Sequence, residues 1–238
     1  MKTILIIALC LGTGMVVVSR TYHAPATTEV VMLKDITDKN FVQPTPHDIL
    51  GLFQFSDEVM WNGASFRFSN LSDVSYNQTT EVNLEPVNKW FGNEISRDNE
   101  VKQFQSSVTQ ILADSQNDSI GKRNSSLYLP IARALIRLSQ SKAEHRILII
   151  SSDLMENDLE VSLYREEELQ LLKRNPQSLR EQFEKRQPLP SLAGIEVYLL
   201  FQPTDQKTDS EFGLVSEFYK SLLESKGATV HISANLTI

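Results

Sequence analysis

The chain has 238 residues, 41% of them hydrophobic, so it can bury a sizeable core and does not have the composition of a disordered protein. Its formal net charge is -7 with no block of basic residues, which argues against nucleic-acid binding, where a positive stripe must neutralise phosphates. The one cysteine, Cys10, lies in the apolar N-terminal stretch, so nothing beyond it can form a disulfide or do thiol chemistry.

Lys2 precedes an apolar run from Ile4 to Val18, and Ser19-Arg20 closes it. A short positive region followed by such a core is the pattern of a secretory signal, with Val17-Val18-Ser19 as a cleavage region. An uncleaved anchor is also compatible, although a full span normally needs about 20 apolar residues. Residues 1–19 are therefore assigned as a signal peptide or N-terminal membrane anchor. The polar, proline-containing 20–28 stretch is a linker, and 29–238 a single folded domain. The expected location is exported: periplasmic, extracellular or held at a membrane by the N-terminal segment.

Glu29 to Lys34 reads as a first strand, running into Asp35-Ile-Thr-Asp-Lys39. Thr45-Pro46 starts a helix, with a hydroxyl cap and proline in the first turn. Asn62-Gly63 marks a turn before the alternating strand Ala64–Ser69, and Thr80, Val82 and Leu84 alternate in a second. The turn-rich 72–79 stretch between them suits an antiparallel hairpin. Val101, Phe104, Val108, Ile111 and Leu112 form one helical stripe. Leu127, Ile131, Leu135 and Leu138 form another, capped by Ser125 or Ser126. Val215, Phe218, Tyr219 and Leu222 form a third, closed by Gly227. Ile147–Ile150, Ile195–Phe201 and Gly227–Ile232 are further strands.

Apolar strands without alternation, separated by helices, imply an α/β fold with a doubly wound, mainly parallel sheet covered on both faces and one antiparallel edge hairpin. Residues 156–190 depart from this plan. They are highly charged and mostly helical, broken at Asn175-Pro176, with Leu169, Leu172, Leu179 and Phe183 as narrow apolar seams. This helical insertion leaves a strand ending in Asp153, so it belongs on the ligand side of the sheet. It is either a solvated charged surface or a lid or partner-binding arm.

Ligands of open α/β sheets bind at the carboxyl ends of the strands. The groups expected there are Asp35, Thr37, Asp38, Lys39, Ser125, Ser126, Asp153 and the Pro203-Thr204-Asp205 turn. Such hard oxygen donors suit Mg²⁺, Ca²⁺ or Mn²⁺ rather than zinc. His23, His47, His145 and His231 have no paired spacing and are expected to be structural or exposed.

With these residues the chain resembles the von Willebrand factor A-like family, whose doubly wound sheet carries a metal-ion-dependent adhesion site at the strand carboxyl ends. Asp35 and Thr37 match the first two positions of its Asp-x-Ser-x-Ser motif, and Lys39 replaces the third. Ser125, in Asn124-Ser-Ser-Leu-Tyr-Leu, occupies the place of the family's helix-opening threonine. Asp153, after Ile149-Ile-Ser-Ser, matches the later aspartate. The resemblance implies a protein-binding module whose weak or vestigial cation site comprises Asp35, Thr37, Ser125 and Asp153, with Lys39 able to replace the ion. It implies no catalytic residues and an unidentified protein partner; membrane contact is expected through the apolar N-terminal segment only. Two other functions compete. Asp35 with Ser151 also resembles the haloacid-dehalogenase-type Mg²⁺-dependent phosphatases, although Thr37 stands where their second aspartate would be. A purely architectural envelope protein would use the same acids and hydroxyls only as caps and turn residues. Sequons at Asn70, Asn77, Asn117, Asn124 and Asn235 would accept glycans only on a eukaryotic secretory route.

Overall fold

A computed structural model describes residues 26–37, 42–71, 78–115 and 126–236. The assigned signal or anchor, Asp38, Lys39, Ser125 and most of the hairpin turn lie outside them. Six strands form one sheet: β1 (Thr27–Asp35), β2 (Gly63–Leu71), β3 (Thr79–Leu84), β4 (His145–Ser151), β5 (Ile195–Leu200) and β6 (Thr229–Ser233), in the order β3-β2-β1-β4-β5-β6. Only β3 is antiparallel, paired with β2 along Ala64↔Leu84 to Ser69↔Thr79. β1 begins two residues before the expected strand, so Thr27 and Thr28 belong to the sheet rather than to the linker.

Among the described residues, six helices pack on this sheet: α1 (Pro46–Gly51), α2 (Glu94–Ser115), α3 (Tyr128–Gln140), α4 (Glu166–Arg174), α5 (Pro176–Arg186) and α6 (Gln206–Glu224). Side chains alternate along β1 and supply both faces, as they must when neither face meets water. Val30 and Met32, with Phe66, Phe68, Ile147 and Ile149, face α1 and α2. Val31 and Leu33, with Leu148, Ile150, Val197 and Leu199, face α3, α6 and the α4–α5 pair. Right-handed crossovers explain this division. From β1 the chain steps one way to β2, and from β4 it steps the other way to β5 and β6, so the connecting helices fall on opposite faces. The order therefore reverses between β1 and β4, which is the switch point where open α/β sheets leave a crevice.

The Thr45-Pro46 signal becomes a full capping box: the Thr45 side chain accepts from the Asp48 N–H and the Asp48 carboxylate accepts from the Thr45 N–H. Asp205, expected among the strand-end ligands, caps α6 in the same way through Thr208. Its carboxyl is held below the usual range by the Thr208 N–H it accepts from. α2 carries the expected stripe and adds a residue the sequence reading omitted, the buried Arg97. Its guanidinium donates to the carbonyls of Met60 at 2.6 Å, Glu85 at 2.9 Å and Asn62 at 2.5 Å, tying the loop before β2 and the loop after β3 together at the amino-end rim of the sheet.

The charged insertion is the expected helical hairpin, broken at Asn175-Pro176. Its seam does more than join two helices. Leu169, Leu172, Leu179 and Phe183 are buried in the same core as α3 and α6, and the Phe183 ring stacks on Tyr128 with centroids 4.1 Å apart. The outer faces are charged and solvated, while the inner faces are part of the domain.

Candidate functional site

β1 and β4 are parallel neighbours, in register from Thr28↔His145 to Lys34↔Ser151. That register carries Asp35 and the Ser152-Asp153 pair to one carboxyl-end rim, at the switch point. Asp35 is fully buried. One carboxylate oxygen accepts from the Thr37 N–H at 2.9 Å and the Thr37 hydroxyl at 2.7 Å; the other accepts from the Ser152 hydroxyl at 2.9 Å. Ser152 in turn accepts from the Leu154 N–H at 2.9 Å. Each of these groups leaves water with a partner, the condition for burying them without a large penalty.

The chain reverses sharply here. Leu154 has φ +63 although it is neither glycine nor exposed, a costly conformation for a bulky side chain. Ser152 and the apolar pocket around Leu154 hold it. The reversal leaves Asp153 only half-buried, its carboxylate accepting from the Met155 N–H at 2.9 Å and the Tyr164 hydroxyl at 3.1 Å. Tyr164 is itself exposed, and Leu159 in the same loop is 97% exposed.

Thus Asp35, Thr37 and Asp153 share one rim, and Ser152, adjacent to the chosen aspartate in the sequence, makes the direct link to Asp35. The hydroxyl invoked by the phosphatase comparison, Ser151, points elsewhere and donates to the Val42 carbonyl. Strand alternation accounts for this: successive residues address opposite faces.

Two helix ends complete the rim. At the carboxyl end of α2, the buried Lys34 ammonium donates to the Ser115 carbonyl at 2.9 Å and to Gln43 at 2.6 Å, a cation where the helix dipole favours one. At the amino end of α3, the N-cap residue is Leu127, and no side-chain cap bond is made by it. The expected serine cap is corrected here: Ser126 instead donates to Glu156 at 3.3 Å. The fully buried Glu156 carboxylate accepts from the N–H groups of Leu127 at 3.0 Å and Tyr128 at 2.8 Å, and so caps α3 from a distant part of the chain. Burial pushes its carboxyl up to about 8, outweighing the stabilisation of the anion by those N–H groups. Arg186 of α5 approaches Glu156 at 3.8 Å and pairs with Asp158. Burial alone would raise Asp158, but the Val161 and Glu160 N–H groups and Arg186 hold it below its usual range.

Among the described residues, no three of the His, Cys, Asp and Glu side chains stand together as a metal-holding group. None of the described helices is long and apolar enough to cross a membrane. His47, His145 and His231 are exposed, and His231 stacks on Tyr198. Asn70 lies buried inside β2, a poor place for a glycan. No protein-family model matches the chain, and no match to a curated protein is found.

Proposed function

We propose that this chain is an exported or membrane-anchored protein-binding module of von Willebrand factor A-like type, with a weak or vestigial divalent-cation site at its carboxyl-end rim. The observation that carries the reading is the meeting of Asp35 with Ser152 at the switch point between β1 and β4, with Thr37 and Asp153 beside them. A mainly parallel six-stranded sheet flanked by helices is compatible with that reading. Tyr164 stands exposed in the loop after Asp153, an aromatic of the type enriched at the energetic centres of protein interfaces, and Leu159 is exposed in the same loop.

A cation at this site would be held by Asp35, Thr37, Ser125 and Asp153, all hard oxygen donors suited to Mg²⁺, Ca²⁺ or Mn²⁺. It would compete with hydrogen bonds that Asp35 and Asp153 already accept from Thr37 and Tyr164. An ammonium from Lys39 within about 4 Å would add repulsion of about 4 kcal/mol at an effective dielectric near 20. Weak binding follows. Calorimetric titration with each of the three ions should give little heat for the natural chain and a measurable affinity for Lys39→Ser. Silence in both forms removes the cation from the proposal.

The binding reading itself is tested by Asp153→Asn and Tyr164→Ala. Both should weaken capture of a partner while leaving thermal unfolding nearly unchanged. The architectural reading draws support from the engagement of both Asp35 oxygens within the fold, and it requires the opposite result: stability altered and capture untouched.

A further inference from the structure

We propose that the opposite, amino-end rim of the domain rests on a lipid surface through Trp90, Phe91 and Ile95. Among the described residues these are 71%, 89% and 76% exposed and lie within one short stretch that follows β3 and ends in the first turn of α2. Isolated exposed apolar residues are ordinary on protein surfaces, but three clustered large ones mark a contact.

Their place in the fold selects the occupant. β3 runs antiparallel to β2 and ends at Leu84, opposite Ala64, which in turn lies beside Thr28 of β1. The stretch that follows is fastened to this rim. The Val87 N–H donates to the Trp61 carbonyl, Arg97 holds the Glu85 carbonyl, and Gly92 sits so close to the Trp61 ring that an added Cβ would clash at 2.2 Å. Gly63, at the start of β2, donates to the Ala26 carbonyl. The exposed cluster therefore shares a rim with the point where the chain arrives from the apolar Ile4–Val18 run.

The inference rests on reading that run as a retained membrane anchor. If it is, the roughly eight residues from Ser19 to Ala26 reach about 28 Å at most, whatever path they take, so this rim stays close to the bilayer. Tryptophan and phenylalanine are suited to the interface between headgroups and acyl chains. The surrounding charges, Asp57, Glu58, Glu85 and Glu94 against Lys89, are mainly acidic, so the contact is apolar insertion and does not need anionic lipid. The candidate site then faces away from the membrane on the far rim, open to a protein partner.

The test uses the full chain in phosphatidylcholine vesicles with brominated acyl chains. The chain should float with the vesicles, and Trp90 should be quenched by lipid bromine and shielded from aqueous iodide. The lipid-quenched component should vanish in Trp90→Phe, leaving the buried Trp61. Trp90 is exposed, so its replacement leaves the core intact, and Phe91→Ser with Ile95→Ser should reduce the Trp90 quenching in a chain that still floats. A floating chain whose Trp90 remains open to iodide overturns the proposed contact and leaves the anchor standing. A chain that does not float overturns both. Trp90 shielded from iodide but untouched by lipid bromine assigns the cluster to a protein contact and also overturns the proposal. None of these outcomes bears on partner capture through Asp153, so the two proposals fail separately.

Discussion

Asp35 and Glu156 are both fully buried carboxylates, yet their surroundings give them different tasks. Asp35 organises the β1 terminus by accepting from Thr37 and Ser152. Replacing it with alanine leaves the Thr37 N–H and the Ser152 hydroxyl without that acceptor, and should cost about 2–4 kcal/mol in denaturant unfolding. Asparagine keeps an acceptor oxygen and should cost less. Glu156 offers a pH test. Its folded value near 8 lies above the ordinary 4.5, so between these limits the folded state binds more protons than the unfolded chain. This contribution to stability is complete below about 4.5 and declines as pH rises to about 8. Glu156→Gln should remove that decline; the difference between the two stability–pH curves isolates it. Glu156→Ala deprives the Leu127 and Tyr128 N–H groups at the start of α3 of their acceptor and should destabilise at every pH, by about 2–4 kcal/mol.

Among the elements, the α4–α5 hairpin has the widest gap between its composition and its role. Its charged outer faces suggest a mobile appendage, but Phe183 lies fully buried between Tyr128 of α3 and Phe218 of α6. Phe183→Ala should therefore cost about 3–5 kcal/mol, as for a core position; a loss below about 1 kcal/mol would restore the lid reading. Arg97 shows the converse. It continues the apolar stripe of α2, with Val101 one turn on, but spends its guanidinium on loop carbonyls. Arg97→Met fills similar space yet leaves those carbonyls unpaired. It should lower stability by about 2–4 kcal/mol and loosen hydrogen-exchange protection at the amino-end rim before the carboxyl-end rim.

Taken as a whole, the domain has two cores separated by one sheet, and both use the same strands. Neither can be lost while the other survives intact, because β1 and β4 supply side chains to both. Denaturant unfolding of the Trp90→Phe chain, followed by Trp61 fluorescence and by far-ultraviolet dichroism, should give coincident transitions; separated midpoints would show that the hairpin unfolds independently. The two rims have opposite character. The carboxyl-end rim gathers buried acids, hydroxyls and two helix ends, one met by the Lys34 ammonium and the other by the Glu156 carboxyl. The amino-end rim gathers carbonyl clamps and exposed aromatic surface.

Local patterns were enough to read the class of fold, because hydrophobic period and turn chemistry depend on neighbours in the chain. The apolar runs at Val30–Leu33 and Ile147–Ile150 read as strands buried on both faces, Thr45-Pro46 marked a helix start, and Asn175-Pro176 marked the break between two helices. The same reading brought Asp35 and Asp153 to strand ends. It could not say which side chain would meet Asp35, since a shift of one residue in the β1–β4 register exchanges Ser151 for Ser152. Nor could it see that Glu156 would cap a helix beginning 28 residues earlier, or that Arg97 would join two loops through their carbonyls. Those partners are fixed by contacts between segments far apart in sequence, where the free energy of a buried polar group is decided by whatever packing brings beside it.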